Sequence, residues 1–282
     1  MKRTFYLALI LTVVTGMSLF AQAGLNNPDN PFALELNYES GAVKVLKNTI
    51  QIGTDGTNFD FVTQGGEEIL FPIQRFTGNL VLGERHNIVL LYQPLAIETK
   101  VDTKSDITID TNTFPQGDNL LIKYGFPFWR LSYVYDFLST DNLTLGAGLS
   151  LQLRNASIVF ESLSTGDITT SQNLGPVPII KTWGSYRFDN GFFAGFEVDG
   201  FYATSALFNG ADFEFEGSIL DASVRVGLEL RDEADAYLNV RFLGGSAAGT
   251  SEYIDRYWTE SVSSYTTNYL SSLSLSLGFT LR

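Results

Sequence analysis

The chain has 282 residues, with 18 basic and 31 acidic side chains, a formal net charge of −13, a single His and no Cys. Such acidity excludes a surface built to grip nucleic-acid phosphates, which needs clustered Lys and Arg. The lack of Cys excludes both a disulfide-stapled secreted domain and a lipoprotein anchored through a cysteine.

Residues 1–23 read as a secretory signal peptide. Lys2 and Arg3 precede an apolar run from Phe5 to Phe20, and Ala21-Gln22-Ala23 supplies the small-residue cleavage site. The run is short and interrupted by Thr12, Thr15, Gly16 and Ser18, which argues against a membrane anchor. Residues 24–282 then form one domain, more acidic once Lys2 and Arg3 are gone. No later uninterrupted apolar stretch is long enough for a transmembrane helix.

Ten segments with a period of two follow in order: 32–42, 70–83, 87–101, 119–138, 143–163, 177–188, 192–206, 218–231, 236–249 and 268–282. In the fifth, Leu143, Leu145, Ala147, Leu149, Leu151 and Leu153 oppose Thr144, Gly146, Gly148, Ser150, Gln152 and Arg154. In the eighth, Leu220, Ala222, Val224, Val226, Leu228 and Leu230 oppose Asp221, Ser223, Arg225, Gly227, Glu229 and Arg231. These runs exceed the strands of about five or six residues usual in soluble sandwiches, and each reaches the 9 to 11 residues or so that a tilted membrane strand requires. Their connections alternate in length. Those at 84–86, 139–142, 189–191 and 232–235 are tight, while those at 43–69, 102–118, 164–176, 207–217 and 250–267 are long.

Tight turns on one rim, long loops on the other and regular alternation up to Arg282 resemble a single-chain bacterial outer-membrane β-barrel of the small class, like the OmpA-like, OmpW-like, opacity and omptin barrels. The resemblance implies an all-β antiparallel up-and-down barrel. Ten strands fit best, with eight or twelve as alternatives; twelve follow if TIQIGTDGTNFDFV in the first loop, with its Asp55-Gly56 hairpin signal, supplies two further wall strands. The resemblance also implies outer-membrane lipid as surroundings, the barrel-assembly machinery as a partner of the last strand, and a monomer. That strand carries Leu273, Leu275, Leu277 and Phe279 in the expected alternation, but continues through Thr280 and Leu281 to Arg282 instead of ending on an aromatic residue.

A barrel of about eight strands is filled by side chains, whereas 16 to 18 leave an aqueous channel. On the inward faces fall Glu35, Glu39, Arg75, Arg130, Asp136, Arg154, Lys181, Arg187, Glu197, Asp199, Asp221, Arg225, Glu229 and Arg241. Acids and bases balance, which favours a cross-linked plug, since isolated charges in a narrow interior are costly and a selective pore shows one dominant sign. Between strands six and seven, a three-residue closure with Gly191 left-handed sets Lys181 opposite Asp199. The long connections hold most of the net negative charge, and none has the spacing of a calcium loop. In the last loop Tyr257 and Trp258 are candidate contacts for an external ligand, as exposed aromatics often anchor partners.

No cofactor or metal site is read from the sequence. Catalysis is not expected either: His86 lies in a tight turn, away from the long-loop rim, and no G-x-S-x-G elbow is present. The expected role is a structural or surface-interaction barrel. The alternative is a narrow channel or transporter for a small solute, and a more remote one is a hydrolase working with carboxylates alone. The ten alternating runs predict a β-rich circular-dichroism spectrum for the chain refolded in detergent, and a folded band whose gel mobility changes on boiling. A helical spectrum, or a soluble monomer without detergent, contradicts the barrel.

Overall fold

A computed structural model describes residues 32–204, 215–231, 233–254 and 261–282. The proposed signal peptide, Tyr257 and Trp258 lie outside these residues. Among the described residues fifteen strands are formed: β1 (Phe32–Ile52), β2 (Phe59–Asp60), β3 (Leu70–Leu82), β4 (His86–Gln93), β5 (Ala96–Asp102), β6 (Ile107–Ile109), β7 (Asn112–Phe114), β8 (Asn119–Gly125), β9 (Phe128–Ser139), β10 (Leu143–Ser162), β11 (Ile168–Arg187), β12 (Phe192–Thr204), β13 (Phe215–Arg231), β14 (Ala234–Ile254) and β15 (Ser261–Leu281).

Their antiparallel order is β11-β12-β13-β14-β15-β1-β3-β4-β9-β10, and β10 pairs back onto β11, so the sheet closes on itself as a ten-strand barrel. Above β4 and β9 the same two staves continue as β5 and β8. Both break at one level, at Pro94 and Pro127, since proline brings no N–H to a ladder. The twelve-strand alternative falls away. β2 is only two residues and pairs with Thr49 and Ile50 of β1, while β6 and β7 form a separate hairpin. The Asp55-Gly56 hairpin exists, but it folds inward and does not extend the wall.

Alternation sorts the staves as lipid demands. Leu273, Leu275, Leu277 and Phe279 of β15 are exposed, while the alternate residues Ser272, Ser274 and Ser276 are buried in the bore. The same inversion runs through β9, where Trp129, Leu131, Tyr133 and Tyr135 face out and Arg130, Ser132 and Asp136 face in. A soluble fold does the reverse.

Several staves run far past this apolar belt. β1, β14 and β15 have 21 residues each. At about 3.3 Å per residue and a tilt near 45°, that gives roughly 50 Å of height against an apolar band of about 25 Å. Much of what the sequence shows as long loops is therefore wall: 168–176 belongs to β11, and β1 continues to Ile52 past a bulge between Val45 and Lys47. The surplus lies at the long-loop end, and there the interior changes character. Ile97, Leu120, Ile122, Tyr124, Ile158 and Phe160 point inward from the staves and close around Phe59 and Phe61, neither of which is exposed at all. Phe59 meets Phe61 and Phe160 edge-on at 5.1 Å, a favourable aromatic geometry. The β6–β7 hairpin adds Ile107, Ile109 and Phe114 to this core.

Glu67, on the connection between β2 and β3, is buried beside that core and accepts a 2.9 Å hydrogen bond from Asn48 Nδ2. Burial pushes its carboxyl up to about 7; the Asn48 bond opposes the shift and the Asp60 charge adds to it. An unfolded Glu titrates near about 4.3, so between there and 7 the unfolded chain gives up its proton first and stability falls as pH rises. We expect the urea midpoint of the wild type, relative to that of Glu67→Gln, to fall from pH 5 to pH 7.5 and then level off. A difference that stays flat with pH places Glu67 in water.

Candidate functional site

The bore at belt level is crossed by charge. Asp199 of β12 and Asp221 of β13 sit directly opposite one another in the ladder, both fully buried. Like charges so placed repel. Arg130, from β9 and also fully buried, inserts its Nη1 between them, bonding to Asp199 and lying 3.0 Å from Asp221. Its Nε and Nη2 both donate to Gln152 Oε1, at 3.0 and 2.7 Å.

Around this centre Arg75 of β3 reaches Asp221 at 3.3 Å and Glu197 at 3.1 Å, and donates to Gln93 Oε1 at 2.9 Å. Lys181 of β11 bridges Glu197 at 2.9 Å and Asp199 at 3.1 Å. Arg241 of β14 pairs with Asp221 and approaches Glu197 at 3.7 Å and Glu39 at 3.9 Å. Glu39 also accepts from Asn239 Nδ2 and Ser276 Oγ, at 2.8 and 2.9 Å. Carboxylates Glu39, Glu197, Asp199 and Asp221 therefore meet cations Arg75, Arg130, Lys181 and Arg241 with no net charge. Oxygens of Glu197, Asp199 and Asp221 lie within 4.8 Å of one another, a spacing a metal could use, but these same cations already answer their charge.

The register behind this follows from one turn. Gly191 takes φ +81°, Phe188 N–H donates to Phe192 O at 2.8 Å, and Lys181 falls opposite Asp199.

The other sequence-derived residues part from the plug. Glu35, Arg187 and Glu229 lie at the tight-turn rim. There Arg187 pairs with Glu229 at 3.3 Å and with Asp235 at 2.8 Å, while Arg282 binds Glu35 at 3.2 Å and also Asp235. Asp235 and Arg282 were missed by the sequence reading. Extending the ninth segment by one residue brings Asp235 onto the inward face, and Arg282, the last residue of the tenth, is already in step with the inward Ser272, Ser274 and Ser276. Three residues stand outside any ion pair among the described residues, against the fully paired plug expected from sequence. Asp136 accepts from neutral donors, Trp183 Nε1 at 2.7 Å and Asn87 Nδ2 at 2.8 Å. Arg225 lies over the Tyr237 ring at 5.4 Å, and Arg154 near the Phe126 ring at 5.9 Å. Equal numbers do not guarantee equal heights: Arg154 sits above the carboxylates, toward the apolar half.

His86 opens β4 beside the tight turn and hydrogen-bonds through Nδ1 with Tyr133 Oη at 2.8 Å. A cavity of about 470 Å³ separates the plug from this end of the barrel, lined in part by Asp136, Trp183, Arg187, Arg225 and Tyr237.

No known protein family matches the chain, and no curated protein does. Among solved structures it is similar to the outer-membrane protease OmpT from Escherichia coli, at 14% identity over 90% of this chain and 97% of that one, with a TM-score of 0.50. It also aligns with a FadL homologue of Pseudomonas aeruginosa (10% identity, 89% of each chain, TM-score 0.37) and with OprG of the same organism (10%, 89% and 97%, TM-score 0.36). Closure, inverted burial and the likeness to OmpT together define the class: an outer-membrane β-barrel. It is a ten-strand barrel whose bore is crossed by buried salt bridges.

Removing one member of a buried pair can cost roughly 3 to 5 kcal/mol, so Lys181→Asp and Asp199→Lys should each lower the urea midpoint in detergent clearly. The double exchange should recover less than half of the loss, because Lys at 199 meets Arg130 and Asp at 181 meets Glu197. Full recovery means the pair acts in isolation from its neighbours.

Proposed function

We propose that the protein is an integral outer-membrane barrel of a diderm bacterium with a closed lumen, serving the membrane and the cell surface through structure and external contacts and not through catalysis. One observation carries this reading. Arg130, Asp199 and Asp221 are entirely shielded from solvent in the middle of the bore, within an eight-charge cluster that sums to zero. Conduction through such a centre requires breaking several desolvated ion pairs, and a neutral lining offers neither cations nor anions a preference. Above it the Phe59–Phe61 core is a second seal. The acidic connections read from the sequence are then the surface offered to an external partner, with Tyr257 and Trp258, outside the described residues, as the candidate contacts. The tight-turn rim with His86 faces the periplasm, away from any external substrate. Lipid surrounds the belt, β15 is the strand presented to the assembly machinery, and the barrel stands as a monomer.

A narrow passive channel is the alternative, favoured by the 470 Å³ cavity on one side of the plug. Planar-bilayer recording separates the two. The refolded wild type should give no reproducible steps at 100 mV in 1 M salt. Long-lived steps of nanosiemens size make it a channel.

A further inference from the structure

A second, smaller cavity lies on the other side of the plug, beside a stretch of wall where the ladder is open. The β11–β12 ladder stops at Ile180 and Gly200, yet both strands continue, β11 back to Ile168 and β12 on to Thr204. Pro176 and Pro178 bring no N–H with which to extend it. The two parted edges, Pro176 to Pro178 on one side and Phe201 with Ala203 on the other, both line a cavity of about 100 Å³. The large exposed side chains Ile180 and Tyr202 flank the parting on the outer surface, at the long-loop edge of the apolar belt, where the Tyr202 hydroxyl donates to the exposed Glu216 carboxylate at 2.7 Å.

Three residues lining this cavity each carry a buried polar atom without a hydrogen-bond partner: Gln152 Nε2, Arg154 Nε and the Tyr124 hydroxyl. The orientation of Gln152, which is completely buried, is fixed. Arg130 is only a donor, so the side-chain oxygen of Gln152 must face it and accept both bonds, which turns the NH₂ away from the plug. Tyr124 is 1% exposed, and its hydroxyl faces Asn268 without closing a bond of ordinary geometry. Arg154 has no carboxylate partner among the described residues, and no Asp or Glu lines the cavity. One cation and two neutral donors around a space without acids are suited to an anion. The remaining walls, including Phe126, Val177, Phe201, Leu243 and Leu270, are apolar. The volume corresponds to about three waters at a liquid share of about 30 Å³ each.

We propose that this cavity binds an apolar monocarboxylate, its carboxylate held by Arg154, Gln152 and Tyr124 and its hydrocarbon part packed against the apolar walls, with access through the parted β11–β12 edges. The binding does not depend on whether the plug conducts.

The test is isothermal titration calorimetry on the full chain refolded in detergent, with 4-methylpentanoate as the probe. Saturable one-to-one binding is expected. It should weaken at least tenfold in Arg154→Met, and also in Ala203→Trp, which fills the space while keeping all three donors. Both variants are first checked for the heat-modifiable folded band. The neutral 4-methylpentanamide and the tail-less acetate should bind at least tenfold more weakly. In a series of straight-chain acids from four to eight carbons, affinity that peaks assigns the site to a small acid enclosed whole. Affinity that rises to the end assigns it to an acyl chain whose tail leaves through the wall. No saturable heat from any acid, equal binding of acid and amide, or binding untouched by both substitutions overturns the proposal and leaves solvent as the partner of the three donors.

Discussion

Arg130 between Asp199 and Asp221 is the interaction on which the interior depends. Two carboxylates facing each other across a ladder, fully removed from water, are untenable unless a cation stands between them. Arginine suits that place because its planar fork can bond several acceptors at once and keeps its charge under any burial. Here the fork is shared by two aspartates and the Gln152 oxygen, and those aspartates in turn hold Lys181, Arg75 and Arg241. Seven staves contribute to one neutral cluster, so it ties the cylinder together across its diameter as well as along its rim.

The bore thus has two interiors on common staves. Inside the apolar belt the lumen is polar and is filled by charges that satisfy each other. Beyond the belt, toward the long-loop end, the lumen is a conventional hydrophobic core built around Phe59 and Phe61. The physical reason is the change of solvent outside the wall. Where lipid covers the outer face, apolar residues are spent there and polar ones turn inward. Where water covers it, apolar residues must turn inward, as in any soluble domain. Residue parity is kept through the change: Arg130, Phe128, Tyr124 and Leu120 all face in along one stave. Only the chemistry switches, near the paired breaks at Pro94 and Pro127.

The parity itself was legible in the chain. Ten alternating runs, four tight turns and the closure at Gly191 give the strand number, the faces and the pairing of Lys181 with Asp199, because side chains in a strand alternate strictly and a turn of known length leaves one register. Most of the inward charges were legible for the same reason. What alternation could not supply is height and cross-bore contact. It counted Arg154, Arg225 and Asp136 among the paired charges, although one sits above the carboxylates, one lies on an aromatic ring and one is met by neutral donors. It also missed Asp235 and Arg282, which lie just beyond or at the very end of the runs as bounded from sequence.

By itself, then, the sequence determined the local and the neighbouring: strand identity, inside and outside, and register across short turns, all of which depend on residues a few positions apart. Tertiary structure alone decided which charges meet across the bore, that residues 53–69 fold inward as a core and not outward as wall, and that β11 and β12 part above Ile180 beside a cavity with unpartnered donors. Those outcomes depend on the diameter and tilt of a closed cylinder, which place residues more than a hundred positions apart, such as Arg75 and Asp221, within a hydrogen bond of each other. No periodicity within a strand encodes that distance.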